Sequence, residues 1–439
     1  MGETLVADLG IGPDIWLFLA LLACVTLFFK FGRFWSMRNL DLLLLFAPAP
    51  GMMVLVGHGV SPPWIAFVWL FLGSGLWLLR CLLDLGLARR PLLEPNLNAW
   101  GLATLSIGIL GLLLAETISL PVSEGAKRNP AETVQRDHPT TEFEGQLGAA
   151  PRRMLALVPL SDSLKSSPPQ VIFARVLAML GHVAIVMGLF GIGRIHFERP
   201  IAGLAAVACY LLLPYTRIAV VDAGQVVPAA LITAAIRYYD RPMTAGVLVG
   251  LAAGWMPACL GLLPLWAGFY RQARGMRRFA EAAVGVALLC GATAWLVPDL
   301  AHWAQSLGAR TLAETGLWPG VNAPRAGSFW TGIDASYRLP VLVLYVALVV
   351  VTTIWPRDKN LGELIALSAA ILIASQFWYL EAGGTLVLLY LPLLVLIMFR
   401  PNLAAKRPTP RVVAAKPEEA AASLARQLPT TPLHPARFQ

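Results

Sequence analysis

The chain has 439 residues, of which 57% are hydrophobic and only 13% charged, and it carries a net charge of +9. A soluble domain has about a quarter charged residues, so this composition excludes an ordinary soluble protein and requires lipid around the apolar segments. The basic residues cluster in short loops between apolar runs, which is the pattern that orients membrane spans and argues against nucleic-acid binding by the core.

The cysteines stand singly in or at the ends of apolar runs. None forms a CxxC pair or a spacing suited to a metal. They are predicted to be small core side chains without disulfide bonds, and no metal site is expected. The five are Cys24, Cys81, Cys209, Cys259 and Cys290.

The first apolar run covers residues 14–31. Glu3 and Asp8 precede it, and Lys30 and Arg33 lie at its end. A cleavable signal peptide has its positive charge before the apolar run. Because the order is reversed here, we predict a retained helix with the N-terminus on the outer side.

Lysine and arginine cluster in short loops between the later apolar runs, and these loops are expected on the inner side, so each run can be given a direction. The run 42–56 should be kinked by Pro48, Pro50 and Gly51. The predicted spans are 42–56, 64–83, 100–120, 171–193, 201–213, 226–236, 279–297, 339–355, 361–380 and 386–399.

The segment 243–270 must contain an even number of crossings, because Arg241 before it and Arg271 after it both mark inner loops. We predict a hairpin of two short helices that breaks at residues 254–257. Each arm is shorter than the roughly 20 residues that span a bilayer. Arms of this kind usually line a cavity or a loop.

The fold class predicted from these patterns is all-α, a polytopic transmembrane protein with about 13 spans. The N-terminus should be outside and the C-terminus cytoplasmic. Two long polar loops, 121–170 and 298–338, then fall on the same outer side, where we expect any chemistry to take place. The tail 400–439 is rich in proline, alanine and basic residues and is predicted to be disordered and cytoplasmic.

Two consecutive stretches carry a family resemblance: LLLPYTRIAVVDAGQVVPAALITAA at 211–235 and RPMTAGVLVGLAAGWMPACLGLLPLW at 241–266. They contain a helix that opens with Gly224-Gln225, a short AGxxxGLA helix at 245–252, and a proline break followed by a helix with the Leu-Leu-Pro pattern. This arrangement resembles the core of GT-C glycosyltransferases, and most closely the bacterial polyprenyl-phosphate-dependent mannosyltransferase-like branch. The same glycines, Gly246, Gly250 and Gly254, are equally explained by close helix packing.

The resemblance implies a GT-C-like core over 98–399, preceded by an N-terminal transmembrane extension over 1–97. It implies a bacterial inner (cytoplasmic) membrane protein of the cell envelope that moves a sugar from a polyprenyl-phosphate donor to an acceptor on the outer face. Trp255 and Met256 stand where relatives often have a basic residue. The resemblance is therefore also compatible with a relative that has kept the fold and lost the catalytic activity.

The resemblance also implies an acidic base in the first long outer loop. A carboxylate within hydrogen-bond reach of an acceptor hydroxyl raises its nucleophilicity. The candidates here are Asp137, Glu142 and Glu144, with Asp137 favoured because His138 beside it could share a proton. The alternative is an ordinary solvated charged loop.

Arg217, Asp222, Gln225 and Arg338 lie at outer ends of spans and are the candidate residues for substrate binding. Arg217 with Asp222 forms either an interfacial ion pair or a phosphate-binding arginine oriented by the carboxylate, since the guanidinium fork suits phosphate. The same choice applies to Arg338.

The second outer loop contains Trp303, Trp318 and Trp330 with His302, also a candidate for substrate binding. Indole rings favour the membrane interface, and sugar stacking is the functional alternative. Within the spans, His182 and Glu116 are functional candidates because ionisable groups in a membrane are costly. His182 is equally explained by a bond to a neighbouring helix, and Glu116 by a position at headgroup level.

The preferred hypothesis is therefore a membrane glycosyltransferase. Its expected partners are membrane lipids and the lipid-linked sugar donor, without a further cofactor and without nucleic acid. The sequence does not indicate its oligomeric state. A transporter or lipid flippase is the alternative, because broken helices often flank substrate sites. A non-enzymatic membrane scaffold is the third possibility and predicts outer loops without a convergent site.

Overall fold

The computed structural model describes residues 12–56, 64–86, 93–119, 169–271, 275–310, 329–330, 333–379 and 383–408. These residues form helices and connecting turns, with no strand among them, which confirms the all-α prediction. The helices are α1 (Pro13–Phe28), α2 (Met37–Phe46), α3 (Ala49–Val56), α4 (Trp64–Leu83), α5 (Ala99–Ser119), α6 (Pro169–Ile195), α7 (Pro200–Leu212), α8 (Pro214–Ile218), α9 (Ala223–Arg237), α10 (Pro242–Trp255), α11 (Leu262–Phe269), α12 (Met276–Leu296), α13 (Pro298–Ser306), α14 (Arg338–Ile354), α15 (Leu361–Trp378) and α16 (Val387–Phe399).

Six apolar helical segments in the described part of the chain are long enough to cross a membrane, and seven shorter apolar helices of 10–17 residues accompany them. The long segments show that this is a helical protein built for a membrane, because their apolar lengths match the hydrocarbon thickness. The count of 13 crossings stays a prediction. The loop predicted over 298–338 begins with helix α13, where Pro298 occupies a first-turn position that needs no backbone N–H.

The predicted kink in the run 42–56 is a full break between α2 and α3. The break falls at Ala47 and Pro48, where proline cannot continue the hydrogen-bond ladder. The indole Nε1 of Trp69 on α4 donates to the carbonyl of Ala47 at 2.6 Å. An aromatic N–H from the neighbouring helix therefore satisfies a carbonyl at the break.

The centre of the protein is formed by α7, α15 and α16, whose residues are almost entirely buried. Helix α6 lies against α7 and α9. Its glycines make the close approach possible: a methyl group on Gly188 would lie 2.7 Å from Thr233 Cγ2, and one on Gly193 would meet the backbone of Gly203. Small residues at such contacts let helix backbones pack directly.

Helices α10 and α12 pack along the stripe formed by Gly246, Gly250 and Gly254. A methyl group on Gly246 or Gly250 would lie 2.6 Å from the carbonyl oxygen of Phe279 or Ala283, and one on Gly254 would lie 2.6 Å from the Cβ of Cys290. These contacts support the packing explanation of the glycines.

The hairpin 243–270 breaks where the sequence predicts. Helix α10 ends at Trp255, Met256 is extended, and a 3₁₀ turn, Pro257–Gly261, leads into the eight-residue helix α11. The side chains of Met256, Cys259 and Leu262 are fully buried. The break therefore lies inside the protein, where irregular backbone is tolerated.

The helix ends lie at two opposite ends of the protein. We call the basic end the one where Arg80, Glu198, Arg237 and Arg400 lie, and the loop end the opposite one. The long loops 121–170 and 298–338 both leave from the loop end, as the charge alternation predicts: Phe173 after the first loop contacts Trp303 of the second, with ring centroids 6.1 Å apart. The side of the membrane that each end faces stays a prediction.

A network of buried charges holds the basic end together. Arg80 on α4 binds Asp41 on α2 through two hydrogen bonds of 2.6 and 2.8 Å, and it binds Asp84 at 2.8 Å. Asp84 also pairs with Arg400. Arg38 donates to the carbonyls of Ile397 and Arg400 at the end of α16. The helices of the predicted N-terminal extension are thus tied directly to the last helix.

The prediction of a disordered tail from residue 400 is wrong for residues 400–408. Leu403 is buried, the backbone N–H of Leu361 donates to the carbonyl of Lys406 at 2.8 Å, and the Lys406 ammonium pairs with Glu198 at 2.6 Å. Residues 400–408 therefore pack across the basic end, where the carbonyl of Lys406 accepts from the first N–H of α15. Residues 409–439 lie outside the described residues.

Candidate functional site at the loop end

The described part of the second outer loop covers the helix break. Gly308, with a φ of +107° that favours glycine, brings its carbonyl oxygen against Gly224 at the start of α9. Two residues later, the backbone N–H of Arg310 donates to the carbonyl of Trp255 at 2.8 Å. The loop is thereby fixed over both the Gly-Gln opening of α9 and the last residue of α10.

Arg217 forms an ion pair with Glu116. The Nε of Arg217 lies 2.8 and 3.0 Å from the two carboxylate oxygens, and its guanidinium lies over the ring of Trp16 at 5.1 Å. Both side chains are largely buried. The pair joins α5, α8 and α1, and it compensates the charge of Arg217 within the protein.

Asp222 is the N-cap of α9. Its Oδ1 accepts from the backbone N–H of Gln225 at 3.3 Å, and its Oδ2 accepts from the Gln225 side-chain amide at 2.8 Å. Such caps satisfy amide groups that a helix leaves unpaired at its start. The amide oxygen of Gln225 is buried and has no hydrogen-bond partner among the described residues. Gln225 directly follows Gly224, the residue against which the Gly308 carbonyl of the loop lies.

His182 anchors the segment between α8 and α9. Its Nδ1 lies 2.9 Å from the hydroxyl of Tyr210, and its Nε2 lies 3.2 Å from the carbonyl of Val220, which can only accept. His182 therefore holds Nε2–H toward Val220 and accepts from Tyr210 on the other side. This favours the bonded-histidine interpretation over a proton relay.

Arg338, the first residue of α14, lies between two tryptophans. Its Nε and Nη2 donate to the carbonyl of Trp378 at 3.2 and 2.8 Å, and its guanidinium lies over the ring of Trp330 at 5.9 Å. The ring of Trp378 also lies 5.5 Å from that of Tyr345. A methyl group on Gly261 would meet the hydroxyl of Tyr345, so this cluster adjoins the 3₁₀ turn after the helix break.

Four indole N–H groups at the loop end are buried donors without an acceptor among the described residues. They belong to Trp16, which lies beside Arg217, and to Trp255, Trp330 and Trp378; the last two side chains are about 5% and 6% exposed. An unsatisfied buried donor costs about 1–3 kcal/mol, and native proteins keep few of them. Those of Trp330 and Trp378 lie beside Arg338, and that of Trp255 lies at the helix break.

The predicted site residues are thus placed in different ways. Asp137, Glu142 and Glu144 lie outside the described residues, as does Trp318. Arg217, Asp222 and Gln225 lie together on the segment from α8 to α9, and Arg338 lies in the tryptophan cluster.

His302 is exposed on α13 and belongs to neither group. Farther along the same loop, Ser336 donates from its backbone N–H and its hydroxyl to the Asp334 carboxylate at 2.8 and 2.5 Å, which lowers the pKa of that carboxyl. His302 and Asp334 are therefore surface groups of the loop end.

Two features of the site were missed by sequence reasoning. The first is Trp378, which lies in a short aromatic stretch of the sequence. Its position at the outer end of a predicted span, at the same level as Arg338, could have indicated that the two are close. The pairing of Glu116 with Arg217 had a weaker signal, since the residues are 101 positions apart. Opposite charges at outer ends of two spans suggest a pair but do not say which spans meet.

Across the described ranges, no group of three or more His, Cys, Asp or Glu side chains could hold a metal ion. All five cysteines are free thiols, four of them buried. No protein-family model, curated protein or solved structure matches the chain.

Proposed function

We propose that the chain is a membrane glycosyltransferase that takes a sugar from a polyprenyl-phosphate donor at the loop end, on the outer face of a bacterial cytoplasmic membrane. The observation that carries the proposal is the cluster of Arg338 with Trp330 and Trp378, whose indole N–H groups have no acceptor among the described residues. A guanidinium suits a phosphate. Indole rings combine a stacking face with one donor, which suits a sugar.

The helix break supports the same assignment. The loop segment at Gly308 and Arg310 lies over it, at the end of the protein where Gln225 has an amide oxygen, and Trp255 an indole N–H, without a partner among the described residues. The opposite end is tied together by buried ion pairs such as that of Arg80 with Asp41. This asymmetry favours chemistry at one face over passage through the bilayer.

In this proposal Arg338 holds the donor phosphate, and Arg217, with its charge compensated by Glu116, positions the start of α9. The base that removes the proton from the acceptor hydroxyl is one of Asp137, Glu142 and Glu144. A positioned base of this kind contributes about 10²–10⁴-fold to the rate.

The test uses the purified full chain in proteoliposomes with radiolabelled polyprenyl-phosphate sugars and a membrane extract as the source of acceptor. We expect sugar transfer by the wild type and its loss in one of D137A, E142A and E144A. Trp378→Phe, which removes the indole donor and leaves a smaller aromatic ring, should lower transfer about tenfold. Trp295→Phe, at an exposed tryptophan, is the matched control and should leave transfer unchanged.

Two results would contradict the proposal. One is unchanged transfer in all three carboxylate variants. The other is no consumption of any lipid-linked sugar together with movement of the labelled lipid between leaflets, which would indicate the flippase instead.

A further inference from the structure

Arg237, the last residue of α9, directs its side chain away from the basic end and along α6. The carbonyl of Arg237 accepts from Nε2 of His196, just beyond the end of α6, at 2.7 Å. Its Nη1 donates to the carbonyl of Met187 at 3.2 Å. Met187 lies nine residues before His196, about 13 Å along a helix axis at 1.5 Å per residue. The side chain thus runs back toward the centre of the spans.

Gly191 makes room for this arrangement. A methyl group there would lie 2.6 Å from the Cζ and 3.1 Å from the Nε of Arg237. The guanidinium therefore lies flat against the backbone of α6. Its Nε is buried and has no hydrogen-bond partner in the part of the chain that the structure describes. Among the described residues the guanidinium makes the Nη1 hydrogen bond to Met187, so donor positions of its terminal nitrogens remain for a ligand.

The depth of the guanidinium matches the edge of the hydrocarbon layer. Helix α6 has 27 residues and is about 40 Å long, whereas the hydrocarbon core is about 30 Å thick. The two ends of α6 together therefore extend about 10 Å beyond the hydrocarbon, and Gly191, four residues from the end, lies near the boundary. Arginine side chains normally extend toward water from such positions. Arg237 instead points inward, so its guanidinium lies level with Gly191 at this boundary, just inside the layer of lipid phosphates.

The surroundings of Arg237 are positive on one side and apolar on the other. The ring of Tyr238 lies between Arg237 and Arg241, at 5.7 and 5.9 Å from their guanidinium carbons. Arg194 lies one helical turn after Gly191 and is exposed. Two exposed carboxylates lie nearby, Asp240 and Glu198, and Glu198 is paired with Lys406 at 2.6 Å.

The apolar side is formed by Met187, 57% exposed, and Leu180, 61% exposed, which face outward from α6. They lie along the helix from Arg237 toward the middle of the span. A molecule held by Arg237 would therefore have an apolar surface next to its charged group, as a phospholipid requires.

We propose that Arg237, supported by Arg241 and Arg194, binds the phosphate group of a membrane phospholipid in the leaflet at the basic end, with an acyl chain along Met187 and Leu180. A charge-assisted bond from an arginine to a phosphate is strong and directional, and basic sites between membrane helices are suited to anionic headgroups. This site lies at the opposite end from the proposed transfer site and does not depend on it.

The test measures lipid retention by native mass spectrometry and the thermal stability of the full chain in a neutral detergent. The probes are phosphatidylglycerol, diacylglycerol with the same acyl chains, and inorganic phosphate. Wild type should retain phosphatidylglycerol and be stabilised by it alone. Arg237→Gln should lower retention about tenfold, the effect of losing about 1.4 kcal/mol, and should abolish the added stability, each variant being compared with its own lipid-free value.

Two further variants separate this role from a general effect on folding. Gly191→Ala keeps the arginine but displaces its guanidinium, so it should also lower retention. Arg277→Gln, at an exposed arginine that pairs with Glu281 at the same end, should retain the lipid like the wild type. Equal retention by R237Q and wild type, or equal stabilisation by diacylglycerol, would overturn the proposal. Stabilisation by inorganic phosphate alone would show a free-phosphate site and overturn the assignment to lipid.

Discussion

Asp84 accepts hydrogen bonds from arginines that belong to distant parts of the chain, Arg80 on α4 and Arg400 after α16. All three side chains are nearly buried, as are Asp41 and Arg38 in the same network. Buried charges are tolerated only when they are paired, because desolvation costs several kcal/mol for each ion. The network thus makes the position of the last helix depend on α2 and α4.

Asp84→Asn should therefore destabilise the protein by about 3–5 kcal/mol, since removing one partner leaves a buried arginine charge uncompensated. The matched control is Glu281→Gln, the same change in an exposed pair, which should alter the unfolding free energy by less than about 1 kcal/mol. Thermal or denaturant unfolding in detergent micelles measures both. Equal effects of the two substitutions would contradict a stabilising role for the buried network.

At the scale of elements, the contact between α10 and α12 depends on glycines rather than on side-chain interdigitation. The backbone of Ala283 lies directly over Gly250, at 2.6 Å from the position a methyl carbon would take. This contact holds the arm of the hairpin that ends at the helix break. The packing therefore sets where Trp255 lies at the loop end.

Gly250→Ala should destabilise the protein by about 1–3 kcal/mol, because the backbones of the two helices would have to separate. Gly285→Ala on α12 is the matched control, since nothing lies within 4 Å of a methyl group there. It should be neutral or stabilising by up to about 1 kcal/mol, as alanine favours the helix. A neutral Gly250→Ala would show that the helices can move apart at no cost.

At the scale of the whole molecule, the separation of a basic end from a loop end determines what each face can do. The charge pattern predicts that the basic end is cytoplasmic. The proposed transfer site then faces outward and the proposed phospholipid site inward. The two proposed sites lie at opposite ends of the protein, so each can be tested without the other.

Cysteine labelling tests this orientation. We expect Ser336→Cys, at the loop end, to react with a membrane-impermeant maleimide from outside right-side-out sealed vesicles, and Asp358→Cys, at the basic end, to react only after permeabilisation. Both positions are exposed. Replacing the half-buried Cys290 by alanine lowers the background, since the other cysteines are buried. The reverse order of labelling would place the loop end inside and remove the basis for outer-face chemistry.

Much of the helical architecture could be read from local features of the chain. The bounds of α4 match the predicted span at both ends, and the breaks at Pro48 and at Met256 fall where proline and glycine interrupt apolar runs. The grouping of helix ends follows the alternation of arginine-rich loops. These features depend on hydropathy, charge and proline geometry over about 20 residues, so the sequence determines them by itself.

The candidate site needed the tertiary structure. Arg217 was recognised as a candidate, but its partner Glu116 comes from a helix 101 residues away. The sequence also indicates Arg338, but only packing buries the indole N–H groups of Trp330 and Trp378 beside it, with no acceptor among the described residues. Hydropathy says that a side chain lies at the end of a span and not which other helix ends surround it. That depends on contacts between distant segments, which only the folded chain decides.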